Sequence, residues 1–187
     1  MTTEFERGVF INCPFDKDYA GLLRPICFTI ISFGLEPRLA NEKLDSAQPR
    51  IEKIIELVRT SKFAIHDLSR IEASEQGELY RLNMPFELGI DFGCKTFGAG
   101  ALKSKKCLVL ESEDYRYQRA ISDLAGFDIK SHGNEPIEAV RCVRDWLVSQ
   151  LRLTRKPGAQ AIWNRFNDFA NDDYEDMKSG GHSELDI

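Results

Sequence analysis

The chain has 187 residues, is 42% hydrophobic, and carries 25 basic against 30 acidic side chains, a net charge of −5. This length suits one α/β domain with an appended helix rather than two domains. The longest basic run is the short KSKK segment at residues 103–106. Because the electrostatic footprint of a nucleic-acid-binding protein is missing, nucleic acid is not an expected partner.

The five cysteines are odd in number, widely spaced and mostly set in apolar runs. This usage is typical of reduced thiols in a cytoplasmic protein rather than of a disulfide framework. The longest apolar run, Ile26 to Leu35, is too short to cross a bilayer. We therefore expect a cytoplasmic protein with no membrane partner.

Two strands and a helix are predicted at the start of the chain. The apolar run from Gly8 to Cys13, ended by Pro14, is typical of a strand covered on both faces in a parallel sheet. Residues 20–33 are apolar around most of the circumference and precede a glycine, which predicts a helix. Residues 35–40 form a strand whose proline cannot donate to a ladder, so it belongs at the sheet edge.

The middle of the chain predicts a helix, a strand and a second helix. An amphipathic helix begins at Arg50 and leads into a buried strand that ends at Asp67. A polar stretch, residues 70–81, then separates this strand from a short apolar helix that carries Glu87 and two glycines, Gly89 and Gly93.

The second half continues the alternation of strands and helices. A strand is predicted at residues 106–112, a helix at 116–126, a weak fifth strand at 127–132 and an amphipathic helix at 135–152. Strands that alternate with helices imply a mostly parallel sheet with right-handed crossovers. We therefore predict an α/β domain over residues 1–153.

The end of the chain predicts a linker, a helix and a disordered tail. Residues 154–178 comprise a hinge-like linker and a helix in which Trp163, Phe166 and Ala170 share one side. That aromatic stripe either packs on its own domain, the favoured interpretation, or forms a contact in a homodimer or higher homo-oligomer. Residues 179–187 are expected to be disordered.

Three polar segments are predicted to meet at one edge of the sheet. Ligands of open parallel sheets bind outside the carboxyl ends of the strands, where the strand order reverses. With the edge strand beside the first strand and the Asp67 strand on its other side, the crevice lies between strands one and three. The residues predicted to meet there are Asn12, Cys13, Pro14, Phe15, Asp16, Asp67, Ser69, Arg70, Arg81, Asn83 and Glu87.

Several common site types are disfavoured. The first loop contains no glycine to bring backbone N–H groups against a pyrophosphate, so an ordinary dinucleotide-binding dehydrogenase is disfavoured. Cysteine and histidine spacings do not match a zinc site, and no serine sits in a Gly-x-Ser-x-Gly segment. We expect neither a metal nor a cofactor.

The local pattern around Glu87 allows two interpretations. Asn83 is a good cap and Pro85 suits a first turn, so Glu87 falls in or just after that turn, where the helix dipole favours its ionised form. An ionised carboxylate can attack or stabilise a sugar carbon that becomes cationic, as cleavage of an N-glycosidic bond requires. Acidic residues are also common in first turns for the dipole alone.

Neighbouring polar residues are equally ambiguous. Asp91 shares a helix face with Glu87 and could pair with it, although a solvated surface charge is the favoured interpretation. Asp67 either binds a ribose hydroxyl or caps the next loop. His66 is expected to be a satisfied core histidine rather than a base.

Three segments together resemble the nucleoside 2-deoxyribosyltransferase family: VFINCPFD at residues 9–16, IEKIIELVRTSKFAIHDLS at 51–69, and NMPFELGIDFG at 83–93. They are also similar to the distantly related TIR domains that hydrolyse NAD. The resemblance covers roughly residues 8–98. It implies a flavodoxin-like three-layer sandwich with strand order 2-1-3-4-5, in which Glu87 is the catalytic glutamate and Asp67 a second catalytic residue. Pro14 and Phe15 would pack near the base.

The chain departs from the family at Arg81, because deoxyribosyltransferases usually carry an acidic base-binding residue there. An arginine can pair with an anion, so the resemblance implies a nucleotide or NAD-like small molecule rather than a free nucleobase. Arg38 and Arg70 are further candidates for this pairing.

Three functions follow, in decreasing order of support. The first is an N-glycosidase or deoxyribosyltransferase-like glycosyltransferase that cleaves the N-glycosidic bond of a nucleotide or NAD-like substrate; by resemblance, its context is bacterial stress or antiviral defence. The second is a catalytically silent nucleotide sensor that signals to a partner through the last helix. The third is a receiver-like switch phosphorylated on Asp67, weakened because Asn12-Cys13 replaces the acidic pair that would hold magnesium.

Overall fold

The computed structural model describes residues 3–42, 47–71, 81–119, 121–124, 126–154 and 156–179. The strands are β1 Gly8–Asn12, β2 Glu36–Leu39, β3 Phe63–Asp67, β4 Lys106–Glu111 and β5 Lys130–Ser131. The helices are α1 Thr3–Arg7, α2 Ala20–Ser32, α3 Arg50–Thr60, α4 Asn83–Phe97, α5 Pro136–Leu151 and α6 Ala159–Ser179. Short 3-10 helices span Ala40–Glu42, Gly100–Ser104, Arg116–Arg119 and Ser122–Leu124.

The strands form one parallel sheet in the order β2-β1-β3-β4-β5. This is the flavodoxin-like order, in which the reversal of strand order lies between β1 and β3. The predicted fold class and strand order are confirmed. The first four strands begin and end within one residue of their predicted bounds, whereas β5 is shorter than predicted and pairs only with the last two residues of β4.

Both faces of the central strands are covered, which explains why their sequences are continuous apolar runs. Ile11 and Ile65 pack in one core with α2 and α5. Phe10 and Ala64, which point to the other face, pack with α3. Each strand therefore contributes alternate residues to two helical layers, and the molecule is a three-layer sandwich.

The last helix packs on its own domain. Ile162 is fully buried in a cluster with Val140 of α5. The rings of Phe166 and Phe169 lie 5.6 and 5.7 Å from the ring of Phe28 on α2. The aromatic stripe thus follows the favoured interpretation. The predicted disordered tail lies outside the described residues, except for Ser179, the last residue of α6.

The segment at residues 116–126 was predicted to be an α-helix, and this is wrong. Two short 3-10 helices form instead. The guanidinium of Arg116 is held by Glu111, 2.6 Å away, and Tyr117 is buried. Arg116 and Tyr117 fix the first turn, and the apolar stripe that follows is too short to stabilise an α-helix. The segment therefore forms the tighter 3-10 turns instead.

Two differences concern helix starts. α1 was not predicted, since one turn is too short to show a periodicity; Phe5 is buried and its carbonyl accepts a hydrogen bond from the backbone of Lys62 at 2.9 Å. Asn83 was predicted to cap α4, but it is the first helical residue and Leu82 occupies the cap position without a side-chain hydrogen bond. None of the helices in the described part of the chain is both long and apolar enough to cross a membrane.

Candidate ligand-binding cleft

A cleft of about 360 Å³ opens at the carboxyl ends of β1 and β3, where the strand order reverses. Its volume lies in the range of small-molecule sites, about 300 to 1,000 Å³. Predicted site residues that line it are Asn12, Cys13, Pro14, Phe15, Arg81, Asn83 and Glu87. Residues that sequence reasoning missed are Arg50, Leu82 and Met84.

A larger groove of about 580 Å³ runs along β4 and α5, away from the carboxyl edge. It exists because β5 is only two residues long and leaves the first part of β4 uncovered. Its charged side chains include Lys130, which pairs with Asp128 at 2.8 Å, and Arg141, which pairs with Glu138 at 3.0 Å. The smaller cleft is therefore the better candidate, because it combines charge with the fold's ligand-binding edge.

Glu87 is the most unusual side chain of the cleft. It is 5% exposed and makes no hydrogen bond or ion pair with another described residue. Burial raises its pKa, and the positive charge of Arg50 opposes that shift without cancelling it. α4 begins at Asn83, so Glu87 is its fifth residue and lies just after the first turn, as predicted. Burial, rather than the helix dipole, decides the direction in which its pKa shifts.

The β1–α2 loop forms one wall of the cleft. Phe15 is 43% exposed at the rim, and the guanidinium carbon of Arg50 lies 5.6 Å from the centre of its ring. Cys13 is buried, and burial, followed by the nearby charge of Asp67, raises its pKa well above the usual value. The thiol therefore stays protonated and is not an activated nucleophile.

Asp16 ties the loops around the rim. Its carboxylate accepts hydrogen bonds from Arg70 at 3.0 Å, from Arg81 at 2.7 Å and from the backbone N–H of Tyr19 at 2.9 Å. Partial burial raises the pKa of Asp16, but the Arg81 and Tyr19 hydrogen bonds and the arginine charges outweigh it, so the pKa is lowered. Asp16 and Arg70 thus hold the rim without lining the cleft.

Asp67 is 1% exposed and does not line the cleft. Its Oδ2 accepts from the Tyr19 hydroxyl at 2.5 Å and lies 3.1 Å from His132 Nε2, while Oδ1 accepts from the Ser69 N–H at 2.8 Å. His132 Nδ1 accepts a hydrogen bond from the backbone N–H of Asn134. His132 Nε2 therefore carries the ring proton and donates a hydrogen bond to Asp67.

Burial raises the pKa of Asp67, but the hydrogen bonds that its carboxylate accepts from His132, Ser69 and Tyr19 outweigh it, so the pKa is lowered. Of the two interpretations of Asp67, its geometry matches the loop cap rather than the sugar ligand. Ser69 is also buried and follows Asp67 below the cleft rather than within it. Buried and saturated, Asp67 is equally unsuited to accept a phosphoryl group.

Asp91 was favoured as a solvated surface charge, and this is wrong. It is 3% exposed, with Oδ2 at 3.1 Å from His66 Nε2 and Oδ1 at 3.0 Å from the ammonium of Lys105. Lys105 is itself buried and donates to the backbone carbonyls of Val58 and Ser61. Asp91 therefore belongs to an internal charge network, and His66 is the satisfied core histidine that was predicted.

The side chains of His66, Asp91 and Cys107 have potential ligand atoms within 4.8 Å of one another. This cluster does not fit a metal ion, because the Lys105 ammonium already lies 3.0 Å from the Asp91 carboxylate. The positive charge of Lys105 already compensates the negative charge of Asp91, as a bound cation would.

The other predicted arginine, Arg38, lies outside the cleft. It pairs with Glu4 at 2.9 Å and with Glu42 at 2.8 Å beside the edge strand β2. Arg50, in contrast, stands at the first position of α3. A signal for it existed in the sequence, because the helix that follows an edge strand of a parallel sheet also begins at the carboxyl edge.

No protein-family model matches this chain, and no curated protein does. Among solved structures, it is similar to a diflavin flavoprotein from Nostoc sp., with 12% sequence identity and a TM-score of 0.43 over 81% of this chain and 98% of that chain. The fold assignment made above rests on strand order and register rather than on this similarity.

Proposed function

We propose that this protein cleaves the N-glycosidic bond of a nucleotide or NAD-like small molecule in the cleft that Glu87 lines. The observation that carries the proposal is the state of Glu87: a carboxylate that is 5% exposed, faces a cleft and has no hydrogen-bonding partner among the described residues. A carboxylate that lines a cleft and whose pKa is raised by burial is the kind of group that is concentrated at functional sites.

The chemistry of Glu87 follows from its desolvation. Burial raises its pKa because the ionised form lacks solvent and hydrogen bonds. When the bond to the nucleobase breaks, positive charge develops on the anomeric carbon of the sugar. In a site with little water, this charge attracts the carboxylate more strongly than it would in bulk solvent, so Glu87 stabilises the transition state, or attacks the same carbon. The base leaves with the electron pair of the broken bond and takes up a proton where its nitrogen requires one. Water supplies the new oxygen on the anomeric carbon, either directly or by cleaving the glycosyl ester to Glu87.

The charge of the cleft favours an anionic substrate. Arg50 and Arg81 both line it. Guanidinium groups bind phosphate well, because their planar fork of donors matches the phosphate oxygens. The half-exposed ring of Phe15 at the rim offers an apolar face to a base. Because Arg81 is already paired with Asp16 at 2.7 Å, a nucleotide would place its phosphate against Arg50 and its sugar beside Glu87.

The first prediction tests this activity directly. The purified chain is incubated with NAD and with ribo- and deoxyribonucleoside monophosphates, and the released base is quantified by chromatography. Glu87→Gln keeps the shape of the side chain and removes the charge, so we expect a loss of at least about 100-fold in rate. Glu138→Gln, on the exposed face of α5, is the matched control and should keep the wild-type rate.

Two results would remove the proposal: no base released from any of these substrates, or equal release from the wild type and Glu87→Gln. Saturable binding of a nucleotide to the wild type without release, measured by calorimetry, would instead favour the nucleotide sensor.

A further inference from the structure

The amide group of Asn12 has a fixed orientation. Its Nδ2 lies 2.9 Å from the backbone carbonyl of Met84 and 2.9 Å from His66 Nδ1. A carbonyl oxygen can only accept, so the nitrogen, and not the oxygen, of the amide must face Met84. Because the other hydrogen of Nδ2 points to His66, both amide hydrogens are used inside the protein.

A chain of buried groups holds this orientation. Since His66 Nδ1 accepts from Asn12, His66 Nε2 carries the ring proton and donates it to Asp91 Oδ2 at 3.1 Å. Asp91 Oδ1 in turn lies 3.0 Å from the Lys105 ammonium. All four side chains are at most 3% exposed. The chain therefore locks the Asn12 amide in one rotamer from behind.

The oxygen of the same amide is left over. Asn12 Oδ1 accepts no hydrogen bond from another described residue, and Asn12 lines the cleft while being only 2% exposed. An acceptor that belongs to a cleft-lining residue and has no donor among the described residues can accept a hydrogen bond from a ligand. The locked amide presents an acceptor, and no donor, to whatever occupies the cleft.

The position of Asn12 indicates which donor it meets. Met84, whose carbonyl Asn12 binds, is three residues before Glu87 on α4 and shares its helix face. Asn12 and Glu87 also line the same cleft, so one ligand can meet both side chains. Under the proposed function, Glu87 faces the anomeric carbon of the sugar. The nearest hydroxyl of an N-linked ribose is on the adjacent carbon, the 2′ position.

We propose that Asn12 Oδ1 accepts a hydrogen bond from the 2′-hydroxyl of the substrate and makes the cleft selective for ribonucleotides over 2′-deoxyribonucleotides. This inference rests on the proposed function, since it uses the sugar position that Glu87 implies. Asn12 is then a specificity-determining residue, and His66, Asp91 and Lys105 are positioning residues that keep its oxygen turned to the ligand.

The experiment measures binding rather than turnover, so that it is separable from the test of catalysis. The full-length Glu87→Gln variant is titrated by calorimetry with adenosine 5′-monophosphate, its 2′-deoxy analogue and its 2′-fluoro-2′-deoxy analogue. Fluorine can accept a weak hydrogen bond but cannot donate one. We expect the 2′-hydroxyl compound to bind about tenfold more tightly than both analogues.

A second pair of variants assigns the preference to Asn12. Adding Asn12→Ala to Glu87→Gln should bring the three affinities within about twofold of one another. Adding Asn164→Ala, which removes an exposed asparagine of α6, should leave the tenfold preference intact. The ligand series on the Glu87→Gln protein needs no Asn12 variant to fold, so it stands even if Asn12→Ala is unstable.

The possible results distinguish the inference about the 2′-hydroxyl from the proposed catalysis. Equal affinity for the three compounds, a 2′-fluoro compound that binds as well as the 2′-hydroxyl compound, or no binding of any of them would overturn the inference. A clear 2′-hydroxyl preference together with absent base release would retain the inference about the cleft and remove the proposed catalysis. Base release by the wild type with equal binding of the three compounds to Glu87→Gln would do the reverse.

Discussion

Glu87 and Asp91 lie one helical turn apart on α4 and are almost equally buried, at 5% and 3% exposure. Their pKa values nevertheless shift in opposite directions. Burial raises both, but in Asp91 the hydrogen bond from His66 and the positive charge of Lys105 outweigh it, so the pKa is lowered. Only the charge of Arg50 opposes burial at Glu87, whose pKa is raised.

The comparison shows that burial sets the free-energy cost of a charge, and that the partners of the charged group determine whether this cost is offset inside the protein. Asp91 has its partners inside the protein, so its charge is neutralised and holds α4 against the sheet. Glu87 has none among the described residues, so its charge is available to a ligand. A helix can thus carry on one face a carboxylate that is paired inside the protein and another that lines a cleft.

The largest expected effect is on stability. Asp91→Asn leaves the Lys105 ammonium buried without its carboxylate, and we expect the free energy of unfolding to fall by about 3–5 kcal/mol. Urea denaturation at neutral pH measures it. Glu87→Gln, the matched change one turn away, should cost less than about 1 kcal/mol or increase stability, because it removes an unpaired desolvated charge. Equal losses in the two variants would contradict the distinction drawn between these carboxylates.

A smaller effect is expected from removing both members of the buried pair. Lys105→Met alone leaves Asp91 with one partner instead of two, and it should destabilise the protein. Lys105→Met combined with Asp91→Asn should be less destabilising than the sum of the single changes by about 1–3 kcal/mol, since no uncompensated charge remains. In a double-mutant cycle measured by urea denaturation, additive losses in the free energy of unfolding would show that the two side chains do not act as a pair.

Much of the fold was predictable because it depends on local patterns. Continuous apolar runs identified β1 and β3, and the proline in β2 placed that strand at the edge. β5 was weak in the sequence and is short in the structure, because its pairing is limited to the end of β4. The short 3-10 helices after β4 were not predictable, since the Arg116 guanidinium is held not only by nearby Glu111 but also by the backbone carbonyl of Ser69, 47 residues away in the sequence.

The site was predicted in part. The segment around Glu87 does reach the predicted edge of the sheet, because every strand-to-helix connection of a parallel sheet ends there. The roles of Asp67 and Asp91 depend on partners far along the chain, His132 and Lys105, which no local pattern encodes. Sequence periodicity places a carboxylate on one face of a helix, but it does not show whether a residue far along the chain pairs with it.

The smallest expected effect is the dependence of stability on pH, and it has opposite signs for the two carboxylates. Glu87 has a folded-state pKa raised above its ordinary 4.5. As pH rises past the ordinary value, the unfolded chain ionises first while the folded protein retains the proton. The stability that Glu87 contributes is therefore complete below that value and is lost as pH rises through the folded-state pKa.

The comparison of wild type with Glu87→Gln isolates this loss, because all other titrating groups are common to both. The variant should gain stability relative to wild type as pH increases from about 4 to about 8, and the gain should level off above the folded-state pKa. Asp91 contributes the opposite trend, since its lowered pKa gives stability that is present above 3.8 and lost as pH falls through the folded-state value. A stability difference between wild type and Glu87→Gln that stays constant across this pH range would mean that Glu87 is solvated in the folded protein. Glu87 would then not hold a desolvated charge in the cleft, contrary to the proposed function.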